Sequence, residues 1–341
     1  MARDNVTSLD VARMAGVSQS AVSRVFTPGA SVSQSMTDRV LAAAIELGYR
    51  PNVLARSMIT GKSRLIGLVV AYLDNQFYPE ILEKISTSLQ QRGYHVLVFM
   101  AQQTSGNIDS VLQEILDYQV DGIVLASVAM SSQLAERCDA AGIPVVLFNR
   151  AQNDDSFSTV TSDNFSGGRA LADFLVAGGH KRIAYIAGWE GASTQRDREA
   201  GFRAGLADHG CELFARGIGD FRTDRAAEAA LKMFNGEQVP DAVFVANDHM
   251  AFAVMDVLRG KLGLSIPGDV SVVGYDDVQL SAWPSFDLTT VSQPSDEMVA
   301  ETVSALMAQI EEGETVPRRV TIQGGLVVRG SARRPATGKK E

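Results

Sequence analysis

The sequence predicts a small all-α domain at the N-terminus, followed by an α/β core made of two doubly wound parallel-sheet subdomains. Three short amphipathic segments fill residues 1–50, and from Leu65 onward apolar runs of strand length alternate with helical segments. Such alternation is typical of parallel sheets with right-handed crossovers. The alternation restarts near Thr161, which favours two similar units over one large sheet.

Length and composition agree with this organisation and restrict where the protein is expected to work. The 341 residues are 45% hydrophobic, enough for two or three domains with buried cores. The N-terminal segment lacks the apolar stretch of a secretory signal peptide, and no run of about 18 apolar residues suits a transmembrane helix. The two cysteines, Cys138 and Cys211, are isolated, as is usual in a reducing compartment. We therefore expect a cytoplasmic protein that contacts no membrane.

Charge is unevenly distributed along the chain, whose net charge is −9. Residues 1–64 contain eight Lys or Arg and four acidic residues, a net charge of +4, so the remainder carries −13. A basic segment on an acidic body is expected where one end of a protein meets a polyanion.

Three helices are predicted in the basic segment. Thr7 and Asp10 form a capping-box pattern that opens the first helix, and Gly16 ends it. Ser18 can cap a second helix after a turn of only three residues, so the pair is predicted to be a helix-turn-helix. The third helix ends at Gly48. Its predicted buried face consists of Val40, Leu41, Ala44, Ile45 and Leu47.

The second helix has an apolar face and a polar face. The polar face carries Gln19, Ser20, Ser23 and Arg24. These side chains suit base edges in a major groove, because Gln bonds to adenine, Arg to guanine and Ser to either. A solvated face of a small helix bundle is the alternative, but the short turn and the positive charge favour DNA binding.

The body divides into two series of predicted strands and helices. The first series has strands in "RLIGLVVAYL", "HVLVFMA", "DGIVLAS" and "PVVLFNR", and the second has strands in "RIAYIAG", "DAVFVAN" and "DVSVVGYDD". The segments near Thr161 and Val291 are interpreted as connections between the two units. The predicted domain limits are 1–50 for the head, 51–63 for a hinge and linker, 64–161 with about 292–321 for the N-subdomain, 162–291 with about 322–331 for the C-subdomain, and 332–341 for a flexible tail.

Polar and aromatic residues follow the predicted strands at their carboxyl ends, where open α/β sheets bind ligands. Asp, Asn and Arg hydrogen-bond vicinal hydroxyls, and aromatic rings stack on the apolar face of a sugar. A helix cap or a surface ion pair would explain any single position, but their succession favours a ligand between the two units. The candidate ligand-binding residues are Asn75, Phe77, Tyr78, Arg150, Asp163, Arg196, Arg198, Phe221, Asn247 and Asp276.

The expected ligand is a neutral or mildly acidic monosaccharide, with a purine or nucleoside as the alternative. Arg150, Arg196 and Arg198 permit a carboxylate or phosphate on the sugar, whereas Asp163 and Asp276 argue against a strongly anionic ligand.

Catalytic motifs are missing from the sequence. The four histidines show no H-E-x-x-H spacing, and the chain has neither a G-x-S-x-G elbow nor a G-x-G-x-x-G segment after a strand. "TGKS" at Thr60–Ser63 lacks the first glycine of a phosphate-binding loop and precedes a strand. We therefore expect neither an enzyme nor a bound cofactor or metal.

Several of these segments resemble one family. "TSLDVARMAGVSQSAVSRVF", "LGYRPN" and "LARSM" are similar to the headpiece of the LacI/GalR family of transcriptional regulators, and the two α/β units resemble the periplasmic sugar-binding-protein fold. The resemblance extends over nearly the whole chain. It implies a regulator, usually a repressor, that binds a near-palindromic DNA operator as a homodimer and responds to a small-molecule effector, most often a sugar or sugar derivative.

The resemblance also implies roles for single residues of the head. Gln19, Ser20 and Arg24 match base-reading positions, and Thr7, Ser18 and Ser23 match phosphate contacts. The chain departs from the family at Thr27, where asparagine is usual, and at Met36-Thr37, where Thr-Arg is usual. Among the strand-end residues, those that match effector contacts are Arg198, Phe221, Asn247 and Asp276.

The segment "NVLARSM" corresponds to the family's hinge helix, which forms on the operator. Met58 stands where leucine usually enters the minor groove as an apolar wedge, a role that methionine can also fill. Arg56 is positioned for phosphate or the narrow groove, and Ala55 is small enough for two hinges to pack closely. Asn52 completes the predicted DNA-contacting set.

Overall fold

The chain folds as two compact units that divide between Ser63 and Arg64. None of the helices that the structure describes combines the length and apolarity needed to cross a membrane. The structure is a computed structural model that describes residues 6–27, 30–50, 62–101, 111, 113–128, 132–152 and 156–335.

The N-terminal unit contains α1 (Ser8–Ala15), α2 (Gln19–Val25) and α3 (Gln34–Leu47). The Thr7 hydroxyl and the Asp10 carboxylate cap the start of α1 reciprocally, as the sequence predicts. Gly16 ends α1 with a φ of 65°, a left-handed conformation that glycine adopts without a Cβ clash. Because α1 ends so sharply, α2 can begin three residues later, which confirms the predicted helix-turn-helix.

The core of this unit is small and built largely from Val and Ala. It consists of Val11, Ala12, Ala15, Val22, Val40, Ala43 and Ala44. The predicted burial of Leu41 and Ile45 is wrong, since 41% and 82% of their surfaces are exposed. Val40, Ala44 and Leu47 follow the three- and four-residue spacing of one helix face, and Leu41 and Ile45 lie one position further round.

The C-terminal unit contains two six-stranded sheets. The strand order of the first is β11-β5-β4-β3-β1-β2, and all of its pairs are parallel. Its elements are β1 (Leu65–Val70), α4 (Phe77–Gln91), β2 (His95–Met100), β3 (Gly122–Ala126), α5 (Ser132–Ala140), β4 (Val145–Phe148), β5 (Ser158–Ser162), α10 (Ser295–Glu311) and β11 (Arg319–Ile322).

The second sheet has the order β12-β10-β9-β8-β6-β7, in which only the β10–β12 pair is antiparallel. Its helices and strands alternate along the chain up to β9. Its elements are α6 (Asn164–Ala177), β6 (Ile183–Ala187), α7 (Ser193–Asp208), β7 (Ala215–Ile218), α8 (Thr223–Met233), β8 (Ala242–Val245), α9 (Asp248–Asp256), β9 (Ser271–Asp276), β10 (Thr289–Ser292) and β12 (Leu326–Val327). The predicted fold class is confirmed.

Five of the strands that the structure describes were not predicted from the sequence: β5, β7, β10, β11 and β12. β5 has the polar sequence STVTS, yet it lies inside the first sheet between β4 and β11. The Ser158 hydroxyl accepts hydrogen bonds from the Arg318 N–H (3.0 Å) and from Gln309 Nε2 (2.9 Å), which satisfies this buried polar group. β7 is an edge strand with alternating exposure and the sequence ARGI, so it carries no apolar run.

The predicted flexible tail begins too early. Ala332 is 3% exposed and belongs to the core of the second half, and the Arg333 N–H donates to Ser271 Oγ (2.9 Å). Residues 332 and 333 are therefore part of the folded core. Residues 336–341 lie outside the described residues.

Candidate functional site

The two halves of the C-terminal unit meet at the carboxyl ends of their strands. Tyr72, which follows β1, packs against the hydrophobic cores of both halves. The Ala151 N–H, after β4, donates to Ser193 Oγ at the start of α7 (3.0 Å). The Arg150 guanidinium lies 5.3 Å from the centre of the Trp189 ring, which follows β6. These contacts define the boundary between the two halves, which is called the cleft below, and most of the predicted effector-binding residues lie along it.

Arg198 on α7 is the most heavily bonded of these residues. Its Nε donates to Asn164 Oδ1 (2.8 Å), Nη1 to the Ala246 carbonyl (2.6 Å) and Nη2 to Asp276 Oδ1 (3.1 Å). The guanidinium also lies 3.7 Å from the centre of the Tyr275 ring. Only 2% of Arg198 is exposed, so the protein itself satisfies this cation in the interior.

Two glycines in α6 allow α7 to bring Arg198 to this position. A Cβ atom on Gly168 would overlap the Arg198 carbonyl oxygen, and one on Gly167 would overlap the Tyr275 hydroxyl. The "SGG" segment of α6 therefore sets how closely α6 and α7 approach.

Asp276 is the anionic partner of Arg198 and ends β9. Its Oδ1 also accepts a hydrogen bond from Gln293 Nε2 (2.7 Å), and Gln293 Oε1 accepts one from Ser162 Oγ (3.0 Å). Burial raises the pKa of Asp276, whereas Arg198 and the hydrogen bonds from Gln293 and Asn75 act in the opposite direction. Because Ser162 ends β5 and Gln293 follows β10, this chain of bonds ties the two halves together.

Asp248, the first residue of α9, is fully buried beside this network. Its carboxylate accepts hydrogen bonds from Ser281 Oγ (2.7 Å), Thr290 Oγ1 (2.7 Å) and the Val278 N–H (3.1 Å). Burial and the nearby Asp276 raise the pKa of Asp248, so this carboxyl is held less readily ionised than in water. Its bonding pattern indicates that it anchors the loop after β9.

Polar and aromatic side chains form the wall contributed by the first half. Asn75 Oδ1 accepts from the Phe77 N–H (3.1 Å), and the Phe77 ring packs into the core of this half. The Tyr78 hydroxyl bonds to Ser127 Oγ and accepts from Asn149 Nδ2 (3.3 Å). Asn75 and Tyr78 are therefore positioned at the cleft, whereas Phe77 supports it from behind.

Three buried polar atoms at the cleft have no hydrogen-bond partner among the described residues. They are Asn149 Oδ1, Arg150 Nε and His249 Nε2. His249 Nε2 lies 3.5 Å from Asp74 Oδ2 in the opposite half, and burial lowers the pKa of His249. Since buried polar atoms in folded proteins are nearly always hydrogen-bonded, this set is suited to a ligand that carries several polar groups.

Two predicted site residues act as helix caps at the cleft. Asp163 Oδ1 accepts from the Ser166 N–H (2.9 Å) at the start of α6. Asn247 Oδ1 accepts from the Met250 N–H (3.0 Å) at the start of α9, and Asn247 is 1% exposed. The interpretation as caps, which the sequence left open, therefore describes what these two side chains do here.

Two other predicted residues differ in position. Phe221 follows β7 with a φ of 58°, and its ring covers Gly188, where a Cβ atom would overlap it. Arg196 is exposed, and its guanidinium donates to the Gly191 carbonyl (3.1 Å). The structure therefore does not bring Arg196 together with the other candidates.

Sequence reasoning missed Trp189 and Gln293. Trp189 lies two residues after the end of β6, so the rule that ligands lie at strand carboxyl ends could have identified it. Gln293 follows β10, which was interpreted as a connection, so that rule was not applied there.

In the headpiece, the polar face of α2 is open to solvent. Gln19, Ser20, Ser23 and Arg24 are all exposed, and Gln19 Nε2 donates to Ser8 Oγ (2.9 Å). Thr7 and Ser18 are the N-caps of α1 and α2, and helix N-termini of this kind suit phosphate groups. The predicted hinge residues Asn52, Ala55, Arg56 and Met58 lie outside the described residues.

Comparison with known families matches both units. The family described as "Bacterial regulatory proteins, lacI family" matches residues 7–52, and "Periplasmic binding proteins and sugar binding domain of LacI family" matches residues 63–330. The chain belongs to the LacI family. The resemblance inferred from the sequence is thereby confirmed.

Individual LacI-family members are similar along their whole length. The ribose operon repressor of Escherichia coli (strain K12) is 31% identical over 331 residues, which cover 96% of this chain and 99% of that protein. A structure of a lac repressor dimer bound to operator and the anti-inducer ONPF is 30% identical, with a TM-score of 0.86 over 96% of this chain and 99% of that one. A complex of the regulator CelR with cellobiose is 31% identical, with a TM-score of 0.72 over 96% of this chain and 100% of that one.

As a LacI-family protein, the chain is a DNA-binding transcriptional regulator. The ribose operon repressor and the lac repressor are regulators and not enzymes, which agrees with the prediction made from the missing catalytic motifs.

Proposed function

We propose that the protein is a repressor whose affinity for a DNA operator is controlled by a small sugar-like effector bound in the cleft. The observation that carries the proposal is a set of three buried atoms without a hydrogen-bond partner among the described residues. They are Asn149 Oδ1, Arg150 Nε and His249 Nε2, of which only His249 Nε2 has a charged group near it, Asp74 Oδ2 at 3.5 Å. Sugar hydroxyls can both donate and accept hydrogen bonds, so one ligand could satisfy all three. The complexes of lac repressor with ONPF and of CelR with cellobiose are in keeping with such a ligand.

The proposed effector contacts and DNA contacts belong to separate parts of the chain. Arg198, Asp276 and Asn75 form the base of the effector site, and Tyr78, Arg150, Asp163, Phe221 and Asn247 surround it. Arg196 stays a candidate only if a ligand draws its side chain inward. The proposed DNA-contacting residues are Thr7, Ser18, Gln19, Ser20, Ser23, Arg24, Asn52, Ala55, Arg56 and Met58.

We further propose that the regulator acts as a homodimer on a near-palindromic operator in the cytoplasm. Two headpieces related by a two-fold axis would each read one half-site. The division into headpiece, hinge, N-subdomain, C-subdomain and tail then follows the predicted limits, with residues 332 and 333 assigned to the C-subdomain. The operator-bearing lac repressor dimer supports this assembly by similarity.

In this mechanism, the effector changes how the two halves of each core are arranged. A ligand that bonds to both walls of the cleft favours the arrangement in which both walls reach it. The resulting shift of one half against the other is proposed to alter the spacing of the two hinges, and so their ability to enter the minor groove.

The test combines operator selection with a ligand screen. Duplexes that bind the full chain are selected from a random pool at low salt, and their affinity is measured by fluorescence anisotropy. Sugars, sugar acids and nucleosides are then screened for an increase in melting temperature, since a ligand that binds the folded state raises it. Every stabilising compound is added to the anisotropy assay and is expected to change operator affinity.

Two results would contradict the proposed function. One is that no duplex binds more tightly than random DNA. The other is that compounds which raise the melting temperature leave operator affinity unchanged. A purine or nucleoside as the stabilising compound would keep the regulatory function but replace the sugar by the alternative ligand.

A further inference from the structure

Two arginines are buried at the cleft, and their surroundings differ in kind. Arg198 is 2% exposed and donates to a carboxylate, an amide oxygen and a backbone carbonyl. Arg150 is 5% exposed, yet it makes no hydrogen bond and no ion pair with any described residue. Its guanidinium only packs over the Trp189 ring, at 5.3 Å from the ring centre.

An unpaired guanidinium in this position is costly. A buried charge is normally paired and hydrogen-bonded, and stacking on an aromatic ring replaces only part of its lost hydration. The buried Nε of Arg150 therefore lacks an acceptor, and an anionic group of a ligand would supply one.

The charge balance of the cleft indicates how much negative charge that partner carries. Asp276 is already paired with Arg198 at 3.1 Å. Arg196 is directed outward to the Gly191 carbonyl and adds no second cation. Arg150 is thus a cation without a carboxylate partner among the described residues. The nearby carboxylates of Asp163 and Asp276 favour a monoanion over a phosphate dianion as its partner.

The atoms beside Arg150 indicate the rest of the ligand. The neighbouring Asn149 Oδ1 is buried and lacks a donor, so it is suited to a hydroxyl group. The Trp189 ring packs against the guanidinium itself, and Tyr72 packs against the cores of both halves. A carboxylate with a hydroxyl close to it meets both requirements, because the planar guanidinium binds carboxylates through two parallel hydrogen bonds.

We propose that the effector is a sugar acid, a polyhydroxylated monocarboxylate of the uronate or aldonate class, whose carboxylate pairs with Arg150. This inference rests on the proposed effector site and adds the chemical class of the ligand.

The first test does not depend on knowing which sugar acid binds. Arg150→Met preserves the stem of the side chain and removes the unpaired charge, so the ligand-free variant is expected to melt about 2 to 4 °C above wild type. The matched Arg198→Met variant removes a paired charge and is expected to melt below wild type. A lower melting temperature for Arg150→Met would overturn the proposal, because it would mean that the protein already satisfies Arg150.

The second test uses Trp189 as a reporter of the ligand. The chain has two tryptophans, and Trp283→Phe leaves Trp189 as the only one. In this background, D-glucuronate, D-galacturonate and D-gluconate are titrated in parallel with D-glucose, D-galactose and D-glucose 6-phosphate. At least one acid is expected to quench or shift Trp189 emission at about tenfold lower concentration than its neutral counterpart, and Arg150→Gln should abolish that advantage.

The outcomes separate this inference from the proposed function. A neutral sugar that binds as tightly as its acid and also changes operator affinity would overturn the sugar-acid class and keep the regulator. Tighter binding of the 6-phosphate than of any acid would replace the carboxylate by a phosphate. An acid that binds equally well to the Arg150→Gln variant would remove Arg150 from the site. Arg92→Gln, which changes an exposed arginine at the end of α4 outside the proposed site, is the control and is expected to bind as wild type does.

Discussion

Replacing Arg198 by methionine removes the cation at the centre of the cleft network while keeping an unbranched side chain of similar length. The variant loses three hydrogen bonds, to Asn164 Oδ1, the Ala246 carbonyl and Asp276 Oδ1, of 2.8, 2.6 and 3.1 Å. It also leaves the Asp276 carboxylate, which is 5% exposed, without a counter-charge. The matched control is Arg196→Met, because Arg196 lies two residues away on the same helix and is exposed.

The expected loss of unfolding free energy is about 4 kcal/mol. Removing one partner of a buried ion pair costs about 3–5 kcal/mol, because an uncompensated charge stays behind. Hydrogen bonds to charged groups each contribute about 1.5–3 kcal/mol, but these values overlap with the ion-pair figure and are not added to it. For the exposed Arg196, the change should stay within about 0.5 kcal/mol.

Two further measurements identify the uncompensated carboxylate as the cause. In the double variant Arg198→Met/Asp276→Asn the buried charge is absent, so it should be about 1–2 kcal/mol more stable than Arg198→Met alone. Burial already raises the pKa of Asp276 in the folded state, and loss of Arg198 raises it further. A carboxyl group whose pKa is raised in the folded state destabilises that state at pH values above the raised pKa, and this loss disappears as the pH falls through it. The difference in unfolding free energy between Arg198→Met and wild type should therefore narrow from pH 7 to pH 5.

Urea unfolding followed by tryptophan fluorescence measures this effect selectively. The only two tryptophans, Trp189 and Trp283, both lie in the half of the core that contains Arg198. A loss below about 1 kcal/mol, or equal losses for Arg198→Met and Arg196→Met, would refute the reasoning. A gap that stays constant between pH 7 and pH 5 would show that the carboxylate of Asp276 is not responsible.

Three further predictions use the same assays. Gly168→Ala should destabilise the core by about 1–3 kcal/mol, because the new Cβ would overlap the Arg198 carbonyl oxygen. Gly260→Ala is the control and should not destabilise it, because no atom lies within 4 Å of its Cβ position. Equal stabilities of the two variants would refute the close approach of α6 and α7. Burial and Arg333 lower the pKa of His180, so the folded state favours the neutral imidazole and the melting temperature should fall as pH drops below 6.5. The variant His180→Gln should flatten this decline. An unchanged decline would exclude His180 as its source. Arg24→Ala should remove the preference for selected over random DNA, a loss of about 1–3 kcal/mol in binding free energy, without altering ligand-induced melting shifts. Arg13→Ala on α1 is the control at another exposed arginine. Loss of the preference in both variants would indicate a general charge effect.

Most strands could be predicted because they are apolar runs buried on both faces. β1 (LIGLVV), β4 (VVLF) and β8 (AVFV) are almost entirely buried and are recognisable from sequence alone. β5 was missed because its serine and threonine side chains are satisfied by partners such as Arg318 and Gln309, more than 150 residues away. No local pattern records such a partnership.

The site could be located from sequence but its internal pairing could not. The residues Asn75, Arg150 and Asp276 were selected because they follow predicted strands, and they lie where the two halves of the core meet; their role in binding an effector stays a prediction. The sequence treated Arg196 and Arg198 alike, although residues two apart point to different sides of a helix. Only the packing of α6 against α7 decides which of them is buried, and that packing depends on Gly168.

The contrast between Arg150 and Arg198 bears on how an effector could switch the protein. Arg198 is paired by the protein, so a ligand gains little by approaching its charge. A carboxylate, by contrast, gains most from Arg150 where Trp189 covers the guanidinium and excludes water. In an opened cleft, water would compete for both charges. The ligand therefore prefers the covered arrangement, and this difference in affinity is what a shift of population requires. A tenfold preference corresponds to about 1.4 kcal/mol, close to the lower end of what one hydrogen bond to a charged group contributes. Hydroxyl contacts that persist in both arrangements would add affinity without adding any switching.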